Sequence, residues 1–217
     1  MAGPVQVHIR VPGTAPMPEV MRLIQSIEAA GFGGAGILDS QLLGRHTFGT
    51  LGEPARHTPG LHLFPAVTNP FTRHPSVLAS AIATVEELAP GRVKCVIGTG
   101  YTSASTIGRK AARLDEMREC IATVKTLLAG ESARFGDSTG RLGYASGRRI
   151  PVLMAASGPK AIELAGEIAD GALLLVGANR GIVARALEHL ARGAKRAGRR
   201  IDGLQVIWAG RTAPLPA

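Results

Sequence analysis

Hydrophobic and polar positions follow two alternating patterns along this chain. Short apolar runs rich in β-branched residues recur, and segments with apolar residues at helical spacing separate them. That alternation is typical of repeated βα units around a parallel sheet. The predicted strands, about seven, cover residues 5–11, 36–39, 61–68, 93–97, 150–155, 172–176 and 204–208.

Three of the predicted helices between these strands begin at prolines, and three end at glycines. Pro18, Pro75 and Pro159 stand in first turns, where the fixed φ and the missing N–H of proline are tolerated. Two segments do not fit the repeat. Residues 40–60 are predicted to be irregular, and loops of that length usually line sites. The polar, glycine-rich residues 131–149 are predicted to be an insertion.

These elements predict an α/β fold, specifically a (β/α)₈ TIM barrel. A closed barrel has eight strands and typically about 250 residues. The 217 residues are therefore predicted to form one barrel domain, residues 1–217, that lacks about the last βα unit. A barrel left open in this way exposes a strand edge and an apolar helix face, which predicts a homo-oligomer.

Composition narrows the class of protein. Hydrophobic residues make up 45% of the chain and charged residues 19%, which is typical of a soluble globular domain. No apolar run has the length of a membrane span or of a leader peptide, which predicts a cytoplasmic protein with no membrane partner. Cys95 and Cys120 lie in separate apolar elements, which favours buried thiols over a disulfide or a metal site.

The net charge of +9 raises nucleic-acid binding as a hypothesis. The cations are spread out, and the densest cluster, within residues 192–200, lies at the predicted end of a helix, where cations favour the helix dipole. Aromatic residues, which stack on bases, are only 4% of the chain. Nucleic-acid binding therefore ranks last among the functions considered.

Chemistry-bearing side chains follow the predicted strands. Thr68 and Asn69 end the third strand, on the face where parallel barrels place their sites. Asn-Pro is equally an ordinary turn signal and His74 equally a helix cap, so both interpretations stay open. Asp39 ends the second strand, where an acid can orient a substrate or handle a proton. Its alternative is a cap of a turn or helix.

The loop after the fourth strand offers flexible backbone to a ligand. It covers residues 98–103 and begins with Gly98, Thr99 and Gly100. Neither the third glycine nor the distant acid of a dinucleotide-binding fingerprint is present, so that class of site is excluded.

A second backbone site precedes the predicted helix 159–168. Ser157 is predicted to cap this helix, and Pro159 suits its first position. Together with Gly158, they leave N–H groups and the positive end of the helix dipole free to attract phosphate. An ordinary capped helix is the alternative.

Several motifs in this order resemble one family. They are Gly31-Phe32, Ile37-Leu38-Asp39-Ser40, Val67-Thr68-Asn69-Pro70, Thr72-Arg73-His74-Pro75, Ala89-Pro90-Gly91-Arg92, Ile97-Gly98-Thr99-Gly100 and Ala156-Ser157-Gly158-Pro159. The chain resembles the luciferase-like monooxygenase superfamily over most of its length, in particular the branch with methylenetetrahydromethanopterin reductase and related deazaflavin-dependent oxidoreductases.

The resemblance implies a function and a cofactor. It implies an oxidoreductase that transfers hydride between coenzyme F420, or alternatively FMN, and a small organic substrate. It places a non-prolyl cis peptide at Ala66–Val67, beneath the middle ring of the deazaflavin, and Asp39 on the substrate side. His8 and Arg10 depart from the reductase branch, which implies a substrate other than its pterin. The alternative function is a non-catalytic flavin-binding protein or a degenerate barrel.

Overall fold

The computed structural model describes residues 5–210. The chain divides into two compact units, Met1–Val152 and Leu153–Ala217. The arrangement of residues 1–217 as a single domain stays a prediction. The prediction that the barrel lacks about its last βα unit concerns the end of the chain, and residues 211–217 lie outside the described residues.

The N-terminal unit is built on a parallel sheet. Its strands β1 (His8–Val11), β2 (Gly34–Ile37) and β3 (His62–Pro65) pair in that order. Two parallel bridges, Leu63 to Val93 and Thr68 to Ile97, connect β3 and the residues after it to the region of β4 (Cys95–Ile97). The alternation of βα units predicted from the sequence is therefore present here.

Five helices accompany these strands: α1 (Met17–Ala29), α2 (Thr47–His57), α3 (Pro75–Leu88), α4 (Tyr101–Ser105) and α5 (Leu114–Leu128). Their buried apolar faces, such as Val20, Ile24 and Ile27 of α1, supply the core. Within residues 131–149, which were predicted to be an insertion, β5 (Ala133–Phe135) and β6 (Ser138–Gly140) form an antiparallel hairpin.

Two sequence predictions were wrong in this unit. Residues 40–60 are not irregular throughout, because α2 occupies residues 47–57, and the loop predicted over residues 98–103 ends earlier, because α4 begins at Tyr101. Helix α2 contains Pro54 and two glycines, which lower its helical propensity and mask its period. Burial of Phe48 and Leu51 stabilises it instead.

The C-terminal unit is also built on a parallel sheet. Strands β7 (Val152–Ala156), β8 (Gly171–Leu174) and β9 (Gln205–Trp208) pair in sequence order, and α6 (Pro159–Ile168), α7 (Arg180–Arg196) and a 3-10 turn at Ile201–Gly203 connect them. At Gly193 a Cβ would overlap the carbonyl oxygen of Glu163, and at Gly166 it would overlap that of Leu190. The two helices therefore approach each other at glycines.

None of the helices within residues 5–210 is long and apolar enough to span a membrane.

Candidate functional site

The candidate site of the N-terminal unit lies where β2, β3 and β4 end. The Ala66 amide donates to the Ile37 carbonyl at 2.7 Å, which continues the pairing of β3 with β2. The Thr68 amide donates to Val96 at 3.0 Å, and the Gly98 amide donates to Thr68 at 2.8 Å. The predicted segments 66–69 and 98–100 therefore lie side by side at one edge of the sheet.

The peptide bond between Ala66 and Val67 is cis, and it is the only cis bond among the described residues. This confirms the geometry that the resemblance implies at that position. The carbonyl oxygen of Ala66 accepts a hydrogen bond from Arg10 Nε at 3.1 Å.

The side chain of Asn69 links the loops that meet at this edge. Its Oδ1 accepts from the amides of Phe71 at 2.9 Å and Thr72 at 3.0 Å, which closes the turn after β3. Its Nδ2 donates to Ser103 Oγ at 2.9 Å, and so joins this turn to α4. Gly100 has φ +77°, and a Cβ there would lie 2.8 Å from Asn69 Cβ. The close packing of the two loops therefore requires glycine at this position.

Asp39 is buried and fully engaged. Its Oδ2 lies 2.6 Å from Arg73 Nη1, and its Oδ1 accepts from Thr47 Oγ1 at 2.9 Å. The side chains of Arg73 and Asp39 are only 10% and 3% exposed. The Arg73 guanidinium also lies 4.9 Å from the centre of the Phe48 ring. These contacts fix the orientation of the carboxylate.

Arg73 and Ser40 are residues to which sequence reasoning gave no role. Ser40 directly follows Asp39, and Arg73 lies in the turn after β3. These positions within the family motifs were the only sequence signal for a role at the site. Ser40 Oγ and Thr68 Oγ1 are buried hydroxyl groups without a hydrogen-bond partner among residues 5–210. A buried hydroxyl is stabilised by a partner, so this edge fits a ligand with hydrogen-bonding groups.

The histidines near this edge have structural roles. His74 Nδ1 accepts from the Ser76 amide at 3.3 Å and caps α3, which confirms the capping alternative. His46 Nδ1 accepts from the Gly49 amide at 3.1 Å and caps α2 in the same way.

Two histidines and a lysine lie at the opposite, N-terminal ends of the strands. His8 and His62 flank Gly34 in the strand register, with their ring centres 6.2 Å apart. Burial and the nearby Lys94 ammonium lower the pKa of His8 to about 4, and the same causes lower the pKa of His62. Both imidazoles are therefore neutral near pH 7.

The predicted phosphate-binding residues belong to the C-terminal unit. Pro159 occupies the first turn of α6, as predicted. The prediction that Ser157 caps α6 was wrong, because Gly158 is the N-cap residue and no side chain caps the helix. Ser157 stands one residue before the capping position. The role of these three residues toward phosphate stays a prediction.

Neither the cysteines nor the potential metal ligands among residues 5–210 form a further reactive site. Cys95 and Cys120 are buried free thiols, and burial raises both pKa values, that of Cys120 to about 12. Such thiols are unreactive. Among residues 5–210, no group of three or more His, Cys, Asp or Glu side chains is placed to hold a metal ion.

The chain is similar in sequence to known proteins of one family. The family described as luciferase-like monooxygenase matches residues 4–214. The chain is 30% identical to 5,10-methylenetetrahydromethanopterin reductase of Methanolobus tindarius over 195 residues, which is 85% of this chain and 58% of that protein. It is 33% identical to F420-dependent glucose-6-phosphate dehydrogenase of Beutenbergia cavernae over 204 residues, 83% of this chain and 59% of that protein.

A solved structure shows the same fold. The coenzyme F420-dependent tetrahydromethanopterin reductase of Methanopyrus kandleri superimposes with a TM-score of 0.80 at 28% identity, and the match covers 95% of this chain and 65% of that one. The chain thus spans less than two thirds of the length of these relatives. The predicted fold class, α/β of the luciferase-like TIM-barrel type, is confirmed. The chain belongs to the luciferase-like monooxygenase family.

Proposed function

We propose that the protein is an oxidoreductase that uses coenzyme F420 to transfer hydride to or from a small organic substrate. The relative at 33% identity is named as an F420-dependent dehydrogenase. The relative at 30% identity is a methylenetetrahydromethanopterin reductase, and the solved tetrahydromethanopterin reductase is named as F420-dependent. These names support the deazaflavin over FMN. The observation that carries the proposal is the pair of buried hydroxyls, Ser40 Oγ and Thr68 Oγ1, left without a partner at the candidate site.

The residues at this edge suit a flat, hydrogen-bonding ring system. Thr68 and Ser40 each offer a hydroxyl that can donate or accept. Asn69 and Gly100 hold the two loops together, so the backbone of residues 66–69 and 98–100 is fixed before a ligand arrives. A fixed binding surface lowers the entropic cost of binding.

The bound deazaflavin would supply the hydride chemistry, and the protein would supply orientation and electrostatics. Asp39, held by Arg73 and Thr47, presents a fixed negative charge beside this edge, balanced by the guanidinium. Because both carboxylate oxygens are engaged, we expect Asp39 to orient groups at the site. Protonation of Asp39 would remove the charge that pairs with Arg73.

The experiment that tests the proposal is a fluorescence titration of the purified protein with oxidised coenzyme F420 and, separately, with FMN. Saturable binding of F420 with much weaker binding of FMN is expected. Saturable binding of FMN alone would show that FMN, and not F420, is the cofactor. Binding of neither by folded protein would favour the alternative, a degenerate barrel without cofactor. Binding without turnover of any carbonyl or alcohol substrate would favour a non-catalytic flavin-binding protein.

We further propose that the protein acts in the cytoplasm as a homo-oligomer. Free, buried Cys95 and Cys120 are typical of a reducing compartment. Val206 and Trp208 of β9 are 42% and 49% exposed, and apolar side chains of that size favour contact with another chain. Light scattering over a range of concentrations tests the assembly, and a monomer at every concentration would contradict it.

A further inference from the structure

Arg10 reaches across the sheet to the candidate site. In the strand register it lies beside Gly36 of β2, which in turn lies beside Phe64 of β3. The Arg10 side chain spans this row, and its Nε donates to the Ala66 carbonyl at 3.1 Å. The path is open because residue 36 is glycine: a Cβ there would lie 2.6 Å from the Phe64 ring and 2.7 Å from Ala66 Cβ.

The guanidinium of Arg10 is held in place but is not neutralised. Its Nε contact with a backbone carbonyl is its only hydrogen bond to the described part of the chain, and it forms no ion pair there. The buried acid of this edge, Asp39, pairs with Arg73 and accepts a hydrogen bond from Thr47. Arg10 is also exposed. Two terminal nitrogens therefore remain available beside the candidate site, with a full positive charge.

We propose that Arg10 binds an oxyanion, a carboxylate or phosphate group, of the molecule that occupies the candidate site. A guanidinium matches such groups because two parallel N–H donors meet two oxygens. The bond from Nε to Ala66 fixes the direction of the terminal nitrogens, so less side-chain entropy is lost when the oxyanion binds. This inference rests on the proposed function, and it narrows the ligand to one that carries a negative group.

The first test is a calorimetric titration of inorganic phosphate into the protein, both free and saturated with F420. Replacing the charged guanidinium in Arg10→Gln is expected to weaken phosphate binding by about tenfold or more. Arg22→Gln removes the same charge from the exposed side of α1 and is expected to leave binding unchanged. Equal phosphate affinity in wild type and Arg10→Gln would overturn the proposal, as would equal losses in both variants.

Two further measurements identify the source of the oxyanion. The deazariboflavin headgroup of the coenzyme lacks phosphate, so its affinity is compared with that of F420 in wild type and Arg10→Gln. A loss for F420 alone assigns an oxyanion of the coenzyme tail to Arg10. Unchanged affinity for both, with phosphate binding lost, assigns the anionic group of the substrate. An equal loss for both coenzyme forms would contradict an oxyanion site.

Folding and cofactor binding are controlled separately. Arg10→Lys keeps the charge without the planar fork, and we expect phosphate affinity between those of wild type and Arg10→Gln. The melting temperatures of the three proteins show whether the fold is kept. If F420 fails to bind the wild type, the proposed function fails, whereas the titration of the free protein with phosphate still decides the role of Arg10.

Discussion

Arg73 and Asp39 form a buried ion pair with 2.6 Å between Nη1 and Oδ2. The pair joins the end of β2 to the turn after β3, and Thr47 and Phe48 bind the same two side chains from α2. Three segments of the N-terminal unit are thereby held together at the candidate site. The charges are stable there only as a pair, because each alone would be buried without compensation.

Loss of one partner of this pair should destabilise the protein strongly. We expect Arg73→Met to lower the free energy of unfolding by about 3 to 5 kcal/mol, because it leaves a buried carboxylate unpaired. The double variant Asp39→Asn/Arg73→Met should recover much of that loss. Urea unfolding measures both. The exposed pair Arg113–Asp115 is the control, and Arg113→Met should have little effect. Additive losses in the double variant would contradict this account of the pair.

Gly100 should be required for coenzyme binding, beyond its conformational role. Gly100→Ala places a Cβ 2.8 Å from Asn69 Cβ at φ +77°, so the loops at residues 69 and 100 must separate. Gly108 has a similar φ of +71° and open space around it. Both alanine variants should lose roughly 1 to 2 kcal/mol of stability from the positive φ, whereas only Gly100→Ala should also weaken F420 binding. Equal affinities in the two variants would show that the contact with Asn69 does not shape the site.

Helix packing in the C-terminal unit should fail at Gly193. Gly193→Ala would drive a Cβ into the carbonyl of Glu163, and overpacking of this kind costs about 1 to 3 kcal/mol. Gly203→Ala is the control, because its added Cβ would meet no atom within 4 Å beyond its chain neighbours and local helix backbone. Thermal unfolding followed by circular dichroism compares the two. A melting temperature of Gly193→Ala equal to that of wild type would contradict the close approach of α6 and α7.

His8 should make stability depend on pH between about 6.5 and about 4. Its pKa is lowered by burial and Lys94, so the unfolded chain takes up a proton in this range before the folded protein does. Stability is therefore lost as the pH falls from 6.5 towards 4. Urea midpoints of His8→Phe should fall less over this range than those of wild type. His57→Phe, at an exposed position, should retain the full slope, and identical slopes in all three proteins would exclude His8 as a source.

How much of this was predictable depends on the range of the interactions. Helix α6 was predicted to the residue, Pro159–Ile168, because a local proline and an apolar period define it. Helix α2 was missed, since its stabilisation comes from the burial of Phe48 and Leu51 against distant segments. Asp39 was identified by its position after a strand. Its pairing with Arg73, 34 residues away, leaves no local pattern.

We propose that the edge containing Thr68 binds the deazaflavin. The most direct test is the affinity for oxidised F420 of Thr68→Val, which removes the unpartnered hydroxyl and keeps the shape of the side chain. Thr84→Val is the control, because its exposed hydroxyl bonds only to the Ser80 carbonyl of the same helix. We expect saturable binding to wild type and to Thr84→Val. Binding to Thr68→Val should be about five- to tenfold weaker, because one hydrogen bond is lost. Equal affinity of all three proteins for F420 would contradict it.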